Sequence, residues 1–219
     1  MILRLCETLD VPLRERNVLL GSAGFSPDFP ERSLNDPSLA AARQAVDSML
    51  SGLEPNPAFA VDRHWTIVKV NKAGNLLLET VDIALLEPPI NLLKIGLHPK
   101  GLTPQIINYA EWRKHILEYL IRQIELTADR FLVELLEELT SYPQPEPTNY
   151  TFSPPANTDY ARFAVGLHLK SEAGIMSFFV TTTVFGTPID VTLSELAIEV
   201  FFLADAETAQ ILRRILPTS

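Results

Sequence analysis

Three runs in the last third of the chain repeat their apolar residues at every second position: RFAVGLHLK, IMSFFVTTTVF and ELAIEVFFL. In the first, Phe163, Val165, Leu167 and Leu169 point one way, and Arg162, His168 and Lys170 the other. In the last, Leu196, Ile198, Val200 and Phe202 are in phase. A period of two is the mark of a β-strand with one face buried, and a slip of one residue would turn every side chain over. The linkers SEAG and GTPID read as tight turns, so the runs form an antiparallel meander. Such a meander needs cover on its apolar face, and the cover must come from the residues that precede it.

Those residues read mainly as amphipathic helices. Asp36-Pro37 opens one, with Leu39, Ala42, Val46, Met49, Leu50 and Leu53 at helical spacing, ended by Gly52 and Pro55. PNPAFAVDRHWTIVKVN predicts strands at 58–62 and 65–70 around a turn, and Asn71 caps the helix KAGNLLLETV. Pro104 is expected to start the longest helix, to about Leu126, with Ile106, Tyr109, Ala110, Leu117, Leu120, Ile121 and Ile124 as its core stripe. A helix over 129–141 buries Leu132, Leu135, Leu136 and Leu139 and turns Glu134, Glu137 and Glu138 to solvent. Five prolines between 142 and 160 exclude helix and central strand there. Asp205 caps a closing helix with Ile211, Leu212 and Ile215 apolar. Two strands, several helices, three strands and a helix give an α+β fold: a five-stranded antiparallel sheet with its helices on one face.

The opening, MILRLCETLDVPLRERNVLLGSAGFSP, predicts a helix over 1–9 with Ile2, Leu5, Cys6 and Leu9 on one side. A second short helix follows within 10–27, with Asp10 as N-cap, Pro12 in its first turn and Gly24 at its end. Two helices this short cannot fold alone. No capping residue precedes the first, so the chain reads as beginning inside a larger helical module. The net charge of -9 repels phosphate backbones and makes the chain a poor free-standing nucleic-acid binder. A single cysteine excludes a disulfide framework or a thiolate metal site. With no signal peptide and no apolar run near ~18 residues, a soluble cytoplasmic protein with no membrane partner is expected.

Catalytic signatures are missing: no G-x-S-x-G, H-E-x-x-H, Walker loop or G-x-G-x-x-G is present. His64, His98, His115 and His168 stand singly, without metal-ligand spacing. No catalytic residue, cofactor or metal is expected, and the chain does not read as an enzyme. One constellation points to binding. Trp112, His115, Tyr119 and Arg122 are spaced 3, 4 and 3, which places them within a sector of roughly 80° on a helix. Facing a cavity, Arg122 or His115 could hold an anionic head group while Trp112 and Tyr119 wall an apolar body. Facing solvent, the stripe would be routine, with Glu118 and Arg122 as an i,i+4 pair.

Taken together, PAFAVDRHWTIVKVNKAG, INLLKIGLHPKGL, INYAEWRKHIL and FGTPIDVTLSELAIEVFFLADAETA resemble the MmyB-like ligand-binding domain of XRE-type bacterial regulators, a PAS-like fold. The opening stretch resembles the end of the helix-turn-helix domain that precedes it. The resemblance implies two parts: 1–27, the closing helices of a helix-turn-helix domain whose earlier part is missing, and 28–219, the sensor. It implies a transcriptional regulator that binds a small apolar molecule, a fatty acid among the candidates, and that contacts DNA only through helix-turn-helix residues absent here. It also implies a homodimer, with helices 1–23 and 37–53 as candidate interface; a ligand-free dimerisation module is the alternative.

Overall fold

The computed structural model describes residues 1–145, 165–186, 188 and 190–216. Arg162, Phe163 and the Pro-rich segment from 146 onward lie outside the described residues. The strands are β1 (Ala58–Val61), β2 (Ile67–Val70), β3 (Gly166–Ser171), β4 (Gly174–Val184) and β5 (Ala197–Leu203). They form one antiparallel sheet in the order β2-β1-β5-β4-β3. This is the α+β class that the sequence predicts. The β3–β4 hairpin closes with Ser171 opposite Gly174, and Gly174 takes a φ of +132° that other residues rarely adopt.

The last strand in sequence is the middle strand in space. β5 lies between β1 and β4, and the cores on either side of the sheet bury both of its faces. Leu196, Ile198 and Val200 join Ala58 and Ala60 and receive Val46 and Leu50 of α3 (Ala40–Gly52). Phe201 and Phe59 face the opposite way into the larger core. That core also takes side chains from α4 (Lys72–Leu78), α5 (Leu92–Leu97), α6 (Tyr109–Thr127), α7 (Arg130–Ser141) and α9 (Ala206–Ile215). Helix α3 is thus the exception to the one-face arrangement. A one-turn helix, α8 (Val191–Ser194), leads into β5 and has no counterpart in the sequence reading.

Helix starts follow the expected chemistry at most sites. Side chains of Asp36, Asn71, Asp129 and Asp205 each accept a hydrogen bond from a backbone N–H of the turn they open. Two starts are corrected. Asp10 does not cap the second helix, α2 (Leu13–Ser22). It sits in a turn at φ +52°, and the extended Pro12 takes the N-cap position without a side-chain bond. Helix α6 begins at Tyr109 and not at Pro104, which lies in a 3-10 turn over Thr103–Gln105. Between the two, the chain leaves the helix to pair with β3. Ile106 bridges Leu169, and the Ile107 N–H donates to the His168 carbonyl at 2.9 Å. The Asn108 side chain donates to the Gly166 carbonyl at 2.7 Å. These bonds fix where α6 lies over the sheet.

At the N-terminus, α1 (Ile2–Thr8) packs against α2. Cys6 is buried, but Leu5 and Leu9 are 59% and 65% exposed, so the apolar side of α1 is only partly covered. Gly24, at φ +81°, closes α2 as predicted. Its N–H donates to the Gly21 carbonyl and that of Phe25 to Leu20, satisfying carbonyls the helix end leaves open.

Candidate functional site

Where α5 and α6 cross the sheet, the side chains leave a cavity of about 260 Å³. Its floor is Leu167 of β3, Val180 and Thr182 of β4, and Glu199 and Phe201 of β5. Its roof is Trp112, His115, Ile116 and Tyr119 of α6, with Leu92, Leu93, Gly96 and Leu97 at α5. Trp65, Leu102 and Ile106 complete the wall. The volume lies just under the roughly 300 Å³ at which small-molecule sites commonly begin.

The wall is mostly hydrocarbon and aromatic, with a few polar groups. Trp65 donates its Nε1–H to Gln123 at 2.8 Å and meets Tyr119 edge-on, ring centroids 5.6 Å apart. Trp65 is held at φ +65°, a conformation costing a bulky residue about 1–3 kcal/mol. The Asp62 carboxylate, which accepts from the His64 and Thr66 N–H groups at 2.9 and 2.8 Å, maintains that turn. His115 lies beside Trp112, centroids 5.8 Å apart. Burial, then the charge of Arg122, lowers the His115 pKa and favours the neutral imidazole.

Glu199 is the unusual group. It is 5% exposed and stands opposite Thr182 on one side and Phe59 on the other. Its Oε1 has no hydrogen-bond partner among the described residues. Burial pushes its carboxyl up to about 7, with a hydrogen bond to the Thr182 hydroxyl working the other way. The same neighbourhood raises the Tyr119 phenol, through burial first and the Glu199 charge second.

Trp65, Tyr119, Thr182 and Glu199 also line a second, more open groove of about 760 Å³. It runs to Arg14, Val18 and Leu19 of α2. Polar contacts border it: ion pairs of Arg14 with Glu195 at 2.6 Å and Arg63 with Asp129 at 3.5 Å, and a hydrogen bond between His64 and Asp129 at 3.0 Å. Burial works against ionisation of Asp129, yet the His64 bond, the Phe131 N–H and the nearby charges of His64 and Arg63 hold its carboxyl below the ordinary range.

Of the four residues singled out from the sequence, the fold brings Trp112, His115 and Tyr119 together on the cavity roof. Arg122 is exposed and does not line the cavity; its guanidinium lies 5.8 Å from the Tyr119 ring centroid. Glu118 pairs with Lys114 at 3.9 Å and not with Arg122. Sequence reasoning passed over Glu199. The phase that contains it runs Glu195, Ala197, Glu199, Phe201 and Leu203, so alternation alone does not separate this carboxylate from one on a solvated strand face.

Two comparisons bear on these observations. The family model described as MmyB-like transcription regulator ligand binding domain matches residues 42–215. That span takes in all five strands and every residue of the cavity wall. A comparison with curated proteins finds no match.

Proposed function

Since the chain belongs to the MmyB-like family of transcription-regulator ligand-binding domains, we propose that the α5–α6 cavity is its sensory site and that it receives a small apolar molecule. One observation carries this reading: an apolar space inside the core, walled by both tryptophans of the chain and fitted with few polar groups. Each buried methylene is worth about 0.8 kcal/mol, so a chain of ten carbons offers ~8 kcal/mol gross. Ordering the chain and losing its freedom offset part of that, which leaves micromolar affinity. A medium-chain fatty acid belongs to this class of ligand by its hydrocarbon body. In this reading Trp112, His115 and Tyr119 contact the ligand, while Arg122 supports Tyr119 from outside.

Residues 1–27 would close a DNA-reading module and 28–219 form the cytoplasmic sensor that modulates it. The groove shared by α2 and the cavity wall supplies a physical route between them. Intrinsic fluorescence tests the site directly, because Trp65 and Trp112 are the two tryptophans and both line the cavity. Titration with ten-carbon compounds is expected to shift the emission saturably at micromolar concentration. Native mass spectrometry should show the same compounds bound one to one. No shift and no bound species would remove the reading.

A second reading, dimerisation, is favoured by the N-terminal helices. Leu5, Leu9, Val18 and Phe25 are 59%, 65%, 62% and 61% exposed. Helix α3, the other interface expected, packs its apolar stripe against the sheet through Val46 and Leu50, both buried. The homodimer surface therefore falls to α1 and α2.

A further inference from the structure

The head-group end of the cavity is more informative than its volume. Resting on the sensory-site reading above, we propose that Glu199 selects ligands carrying a neutral hydrogen-bond donor, an alcohol, an amide or a fatty acid in its protonated form, on an apolar body, and rejects the same body bearing an ionised carboxylate. Glu199 lines the cavity, is 95% buried by the complement of its 5% exposure, and leaves Oε1 without a partner among the described residues. An unpaired buried acceptor is costly, and a ligand O–H or N–H aimed at it recovers that cost on binding. The geometry around it favours a donor over an anion. Thr182 stands directly across the β4–β5 ladder, and Tyr119 closes the roof. Among the described residues, no lysine or arginine side chain lines the cavity, and Arg122 lies outside it. Of the other titratable groups of the wall, His115 is favoured in its neutral form, and burial raises the Tyr119 phenol, which keeps it protonated. A carboxylate placed here would face a second carboxyl without a balancing lysine or arginine among the described residues.

The test uses the full chain and three ten-carbon probes at about pH 8, where free decanoate is ionised: 1-decanol, decanoate and decane. Affinity is read from tryptophan emission and calorimetry. Decanol is expected to bind roughly tenfold or more tightly than decanoate or decane, the worth of one hydrogen bond to a charged or buried acceptor. Glu199→Leu should abolish the advantage of decanol over decane while decane still binds. Glu199→Gln should keep decanol and gain decanoate, because the carboxamide N–H can donate to a carboxylate. Should all three probes bind wild type equally, or decanoate bind best, the Glu199 proposal falls and the sensory cavity stands. Should none bind, both fall.

Discussion

Glu199 is where a single side chain alters the thermodynamics of the whole molecule. Its carboxyl titrates at the ordinary 4.5 when unfolded and at about 7 in the fold. Between those values the folded state binds the extra proton, so this group makes stability fall as pH rises through the window. His115 works in the opposite direction, since its pKa is lowered by burial and by Arg122; its contribution grows as pH rises toward the ordinary histidine range. The two overlap, and a wild-type profile alone would blur them. Glu199→Gln isolates the carboxylate because the amide does not ionise. The unfolding free energy of the variant, relative to wild type, is expected to rise by about 3 kcal/mol from the acid side of the window to the basic side. Urea denaturation across that range checks it, and parallel pH profiles for the two proteins would show that Glu199 is solvated.

At the scale of elements, α2 is joined to the sensor chiefly through one arginine. Arg14 donates from Nε and Nη2 to the Glu195 carboxylate at 2.6 and 3.0 Å, and from Nη1 and Nη2 to Glu31 at 2.9 and 2.6 Å. Glu195 sits between α8 and β5, four residues before Glu199, the first β5 residue of the cavity wall. Its side chain is 20% exposed and that of Glu31 is 56% exposed, so the Glu195 half supplies most of the energy. Arg14→Ala is expected to loosen α2 by about 1–2 kcal/mol. Hydrogen exchange of the α2 amides should quicken roughly tenfold while β5 amides keep their protection. Arg14→Lys should not restore it, because an ammonium cannot match two carboxylates with a planar fork.

The same scale shows what could be read from the sequence and what could not. Asp36, Asn71, Asp129 and Asp205 mark real helix starts because capping is a contact between neighbours in the chain. The strands follow from their alternation for the same reason. The start of α6 was hidden because its competitor is distant: Ile106 and Ile107 bond to β3, some sixty residues later in the chain. Trp112, His115 and Tyr119 could be grouped by helical spacing. Which stripe faces inward could not, since Ile121, assigned to the core, is 41% exposed and Trp112 is 5% exposed. Glu199 became legible only once β5 was known to lie in the middle of the sheet. Alternation within one strand gives its two faces but not what covers each.

Considered as a whole molecule, the sheet separates two tasks. One face carries the cavity beneath α5 and α6; the other receives α3 over β1 and β5, and the N-terminal pair leaves apolar side chains uncovered. Leu5, Leu9, Val18 and Phe25 are exposed apolar side chains of this region, and under the dimer reading proposed above a second copy is their occupant. Light scattering from low to high micromolar concentration is expected to report a dimer. Leu5→Glu with Leu9→Glu should convert it to a monomer. Both side chains already face solvent, so the fold is not called on to bury the new charges, and the tryptophan response to decanol should survive. If instead the double variant loses ligand binding along with association, the two tasks share one structure, and the cavity is completed only in the dimer. A wild-type monomer at every concentration would end the dimer reading and leave the sensory one untouched, because no residue of the cavity wall lies on α1 or α2.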